Sequence, residues 1–138
     1  MEAASASIGA NRGTIKVTDG SNPIAGLELS IPAKSYPDTR QVKISSTPVQ
    51  SHTFGAAFNP ITPLIRIDNG GGYSDELMNV KIPVKVPAGK FAMGFIYDDK
   101  TKKLEGLPLV DRDAGSITVA TRHFTDIIVS MIDELLLR

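Results

Sequence analysis

Strict alternation of apolar and polar residues, interrupted about every 8–12 positions by turn formers, constrains this chain more than any other feature. Ile15 and Val17 share one side of residues 13–18, Leu27, Leu29 and Ile31 one side of 26–31, and Val42 and Ile44 one side of 40–44. The longest alternation, residues 78–86, places Val80, Ile82, Val84 and Val86 together. Successive strand side chains point to opposite faces, so each run is a strand with one buried side. Residues 63–68, 91–97, 104–109, 116–121 and 123–129 read as further strands. Between them stand turn clusters such as Asp19-Gly-Ser-Asn22-Pro23 and Asp98-Asp-Lys-Thr-Lys102, while 45–60 lacks periodicity and reads as a long connection. Pro83 cannot donate to a ladder, which predicts an edge or a bulge there.

Short strands at this spacing, without amphipathic helices between them, predict an all-β antiparallel β-sandwich of about 8–10 strands. The 33 Ile, Val and Thr residues among 12 Gly and 9 Pro favour the same class. The expected core is Ile15, Val17, Leu29, Ile31, Val42, Ile44, Ile82, Val84, Ile117 and Val119. Residues 1–7 read as a disordered lead-in without the basic and apolar regions of a signal peptide, and 8–130 as the domain. The tail 131–138, long enough for two helical turns and ending in three leucines before Arg138, reads as a linker to a neighbouring domain of a longer protein.

Composition narrows the chemistry. Fifteen basic residues balance fifteen acidic ones, which offers no basic stripe for nucleic acid. No apolar run approaches the ~20 residues of a membrane-spanning helix. Zero cysteines excludes thiolate catalysis and Cys-ligated metal, and two histidines, His52 and His123, leave little for a His-based site. The expectation is therefore no metal and no cofactor.

Several segments together resemble a known module. Ile8-Gly9, Gly13-Thr-Ile-Lys-Val17, Leu29-Ser-Ile-Pro32-Ala33 and Val80-Lys-Ile-Pro83-Val84 are similar to the ZU-type β-sandwich domain of zonula occludens proteins, netrin receptors and ankyrins. Downstream, Phe95-Ile-Tyr97-Asp98, Leu104-Glu-Gly-Leu-Pro108 and residues 115–125 resemble the ending found in bacterial surface proteins, which closes on a His-Phe-Ser/Thr strand. The resemblance covers residues 8–129 and departs at Arg12, where a second Gly is common, and at Thr125, where Ser is usual. It implies a non-catalytic spacer, adhesion or protein-interaction module of an exported bacterial protein, at the cell surface or in the periplasm. Its partners would be neighbouring domains of the same chain, another protein or a surface glycan. An intracellular scaffold module of the ankyrin kind is a weaker possibility.

His123-Phe124-Thr125 carries the one obvious chemical alternative. In related modules of death-domain scaffolds and adhesion receptors such a tripeptide cuts its own backbone. Here Thr125 Oγ would attack the Phe124 carbonyl with His123 as base. The reaction also needs a distorted peptide and oxyanion donors. One extended strand over 123–129, with Ile127 and Val129 packing inward, would leave the Phe124–Thr125 bond undistorted, and the structural reading is the stronger. Asp111-Arg-Asp113-Ala-Gly115 begins like an acidic calcium loop, but no further acid follows until Asp126, so a turn is expected instead. Asn69-Gly-Gly-Gly72 lacks the Lys and helix of a phosphate loop, and no Gly-x-Ser-x-Gly elbow is present.

Overall fold

The alternating segments fold as antiparallel strands whose apolar sides meet between two sheets. The computed structural model describes residues 2–8, 13–35, 38–48, 59–69, 76–85, 90–98, 101, 103–113, 115–122 and 126–133. Twelve strands run through them: β1 (Glu2–Ile8), β2 (Gly13–Lys16), β3 (Glu28–Ile31), β4 (Arg40–Thr47), β5 (Asn59–Pro60), β6 (Leu64–Asp68), β7 (Met78–Pro83), β8 (Lys90–Asp98), β9 (Lys103–Gly106), β10 (Leu109–Asp113), β11 (Ser116–Thr121) and β12 (Asp126–Asp133). The larger, seven-stranded sheet has the order β1-β4-β6-β12-β8-β9, with β5 beside β6 against β12. The smaller, five-stranded sheet has the order β10-β11-β7-β3-β2. The architecture is a β-sandwich, and all ten expected core residues lie in one buried cluster.

Several expectations need correction, four of them in the course of the strands. The lead-in is not disordered: β1 pairs with β4, with Ala4, Ala6 and Ile8 set against Ile44, Val42 and Arg40. Small alternating Ala and Ser residues carry too little apolar surface to signal a strand, but β4 supplies a ladder for them to join. The tail does not leave the sandwich at 131, because β12 continues to Asp133 and pairs with β8 as far as Lys90. Pro83 lies neither on an edge strand nor at a bulge. β7 is an interior strand, and Pro83 is tolerated as its last residue because the β3 ladder stops at Lys81. Finally, residues 104–109 are not one strand but parts of two, in opposite sheets.

The crossing between those two has a defined geometry. Leu107 N–H still donates to Gly94 O on β8 at 2.9 Å, while Pro108 O already accepts from Ala120 N–H on β11 at 3.1 Å. The chain therefore changes sheets between consecutive residues, as strands do at sandwich corners. Gly94 makes this possible: a Cβ there would stand 2.8 Å from Val119 Cγ1.

Polar local structure follows the sequence more directly. Asp19 Oδ1 accepts from Ser21 N–H at 3.0 Å and from its hydroxyl at 2.7 Å, and Asn22 Oδ1 accepts from Ile24 N–H at 3.1 Å, as the turn cluster predicts. These Ser21 bonds, the side-chain one foremost, hold the Asp19 carboxyl below its ordinary pKa. Gly26 closes the turn at φ 95°, a left-handed conformation that glycine adopts without steric cost. Prolines interrupt the other flank of β12, and Thr62 fills the gap. Its Oγ1 accepts from Val129 N–H at 3.0 Å and donates to Pro63 O at 3.0 Å.

At the start of β12, Asp126 lies directly opposite Arg66 and receives two hydrogen bonds, Nε to Oδ1 at 2.9 Å and Nη2 to Oδ2 at 3.3 Å. The arginine side chain is 63% exposed but the carboxylate only 12%. Removing the guanidinium would leave a largely buried carboxylate without these donors, so Arg66→Leu is expected to cost about 1–3 kcal/mol in urea denaturation. A cost under about 0.3 kcal/mol would show an ordinary surface pair.

Candidate functional site

On its solvent side the smaller sheet sets its polar positions in rows across neighbouring strands. Thr14 of β2 opposes Ser30 of β3, which opposes Asn79 of β7. Together with Gly13, Ile31 and the Pro32–Ala33 rim they line a groove of about 660 Å³. Beyond Ala33, Lys34 takes φ 65° and Ser35 Oγ donates to Pro32 O at 2.7 Å, a hydrogen bond that closes the turn at the rim. The groove thus presents hydroxyls, an amide and small apolar surfaces. It offers hydrogen bonds to a neutral polar ligand, and among the described residues none of its lining side chains is an acid or a base.

The adjacent row is charged. Lys16, Glu28, Lys81, Thr118 and Asp111 follow one another across five strands. Opposite signs alternate among the first three, and Lys16 Nζ lies 3.9 Å from Glu28 Oε2. Exposed pairs of this kind hold register and solubility more than they add stability. The larger sheet repeats the pattern with Ser45, Arg66, Asp126 and Tyr97 in one row.

Of the residues singled out by sequence, His123, Phe124, Thr125 and His52 lie outside the described residues. The flanks of the tripeptide are described. β11 ends at Thr121 in the smaller sheet and β12 begins at Asp126 in the larger one. The strand expected over 123–129 is described from Asp126 onward, and its first three residues lie outside the described residues. Asp111 and Asp113 are strand residues rather than turn residues, opposite Thr118 and Ser116. Asp111 Oδ1 accepts from the Arg112 N–H at 2.8 Å, and among the described residues no group of three or more His, Cys, Asp or Glu converges. The expected result is a melting temperature that neither rises with calcium nor falls in chelator. A site filled to ~100 Kd would add ~2.7 kcal/mol, which calorimetry would detect.

Sequence reasoning missed the groove. Thr14, Ser30 and Asn79 each sit at an ordinary outward position, and only the pairing of β3 with β7, about fifty residues apart, makes them neighbours. No protein-family model matches the chain, and no curated protein matches it. Among the described residues no helix is long and apolar enough to cross a membrane.

Proposed function

We propose that the chain is a non-catalytic β-sandwich module of a larger exported bacterial protein, serving as a spacer, adhesion or protein-interaction domain. The observation that carries this reading is the chemistry of the outer surfaces. Charges are placed against opposite charges from strand to strand, and among the described residues the groove presents neutral hydrogen-bonding groups. Such a surface suits recognition by shape and hydrogen bonds, and no paired acid and base lines the groove among the described residues. The ZU-type resemblance over residues 8–129 supports the exported and bacterial parts of the proposal. Neighbouring domains, another protein or a surface glycan are partners of suitable chemistry.

Arrays of glycans and surface proteins test it, read with the unaltered chain and with Ser30→Arg, which fills the groove. Binding that weakens at least tenfold in a variant of unchanged melting temperature supports the reading. Turnover of any probe would overturn it, as would recovery of the native protein solely from cytoplasmic fractions.

Self-cleavage between Phe124 and Thr125 is the alternative favoured by one observation: the described strands on either side, β11 ending at Thr121 and β12 beginning at Asp126, belong to opposite sheets. Cleavage still demands a base, a hydroxyl and a distorted peptide in coincidence, so the bond is expected to stay intact. Denaturing mass spectrometry should give one species at 14.7 kDa. A fragment of residues 125–138 that disappears in Thr125→Ala would make this an autoprocessing domain.

A further inference from the structure

Among the described residues the two sheets end on four strands, and three of these carry features that discourage further pairing. β2 and β9 are four residues long and contain Lys16 and Lys103. β10 has a register shift between Leu109 and Asp111 and carries Asp111 and Arg112. β1 differs. It is seven residues long, Glu-Ala-Ala-Ser-Ala-Ser-Ile, with its single charge at Glu2 and its register shift confined to the Glu2/Ala4 end. Residues 4–8 pair regularly with β4, and among the described residues no strand pairs with the other side of β1. Among the described residues its outward N–H and C=O groups meet no ladder partner.

We infer that this edge associates with a second copy of the same chain, β1 against β1 about a two-fold axis, joining the two larger sheets into one. The occupant follows from self-complementarity. An isologous contact places one strand against itself, so the strand must not oppose like charges or bulky groups. Antiparallel pairing centred on Ser5 sets Ser5 against Ser5 and Ala4 against Ala6. Centred on Ala6 it sets Ala6 against Ala6, Ser5 against Ser7 and Ala4 against Ile8. Both registers keep Ala4, Ala6 and Ile8 on the core side and Ser5 and Ser7 on the solvent side, and neither opposes two charges. Formal net charge is zero, so two copies meet without long-range repulsion. Pairing along one short strand covers less than the ~1,200 Å² of a standard interface, which places the dimer in the weak, concentration-dependent class.

Sedimentation velocity of the full chain from micromolar to millimolar concentration tests the inference. The weight-average mass should rise from 14.7 kDa toward twice that value. Ser5→Lys with Ser7→Lys places like charges opposite each other in either register. It should weaken association at least tenfold without lowering the melting temperature. Mixing that variant with Ser5→Glu/Ser7→Glu should restore the dimer. A wild-type mass that stays at the monomer value, a dimer that the lysine variant leaves intact, or two folded charge variants that fail to associate would each overturn it. Amide hydrogen exchange of the unaltered chain gives a readout independent of the substitutions. Protection of residues 4–8 should increase with concentration, and protection that does not change refutes the pairing.

Discussion

Ile82→Ala is expected to destabilise the protein by about 2–5 kcal/mol, toward the upper end of that range. Ile82 is fully buried on an interior strand, directly opposite Ile117 of β11. Truncation removes three carbons from a site enclosed by both sheets. The hydrogen-bonded ladder of β7 with β11 limits how far the surroundings can close on the space left. Urea denaturation would measure the cost, with Ile82→Val expected at about 0.5–1.5 kcal/mol as the graded control. A cost below about 1 kcal/mol for the alanine variant would mean that β7 is not a central strand of the core.

Gly94→Ala is expected to cost about 1–3 kcal/mol, although alanine is the smallest possible addition. The new methyl group would meet Val119 Cγ1 at 2.8 Å, inside ordinary contact distance. Val119 is fully buried and sits on a strand that packs directly against β8 at the corner, so it has little room to retreat. The diagnostic measurement is a double-mutant cycle. Val119→Ala alone opens a cavity and Gly94→Ala alone overpacks, so the double variant should be more stable than the two costs added together, by about 0.5–3 kcal/mol. Additive costs would show that the two sheets do not approach closely at this corner. The same contact explains why the crossing at Leu107–Pro108 lies where it does, since Leu107 is hydrogen-bonded to Gly94 itself.

The candidate site was legible only in part. Its residues were visible as outward positions of predicted strands, but their convergence was not. Asp126 shows the same limit. In sequence it is an isolated acid between Thr125 and Ile127, whereas in the fold it receives two hydrogen bonds from Arg66, sixty residues away. No local pattern encodes a pair of that separation, because the chain between them passes through both sheets before returning.

What the sequence by itself determined is which side of each strand faces inward and where the tight turns fall. Ile15, Leu29, Val80 and Val119 occupy one continuous inner row across four strands, as their separate alternations require. Asp19 and Asn22 make their turn bonds with residues two positions on. Both are local rules: a period of two and a short side chain within reach of its own backbone. The tertiary structure alone decided sheet membership. It recruited β1 to an edge, divided residues 104–109 between two sheets, and placed β12 at the middle of the larger one. There Ile127, Ile128, Val129 and Ser130 are all buried, and the alternation expected of a one-sided strand is lost. The physical reason is that a period of two fixes the face of a strand without identifying its neighbour. Any strand of matching parity can complete the ladder, and the choice is made by which pairings let both sheets close over one core.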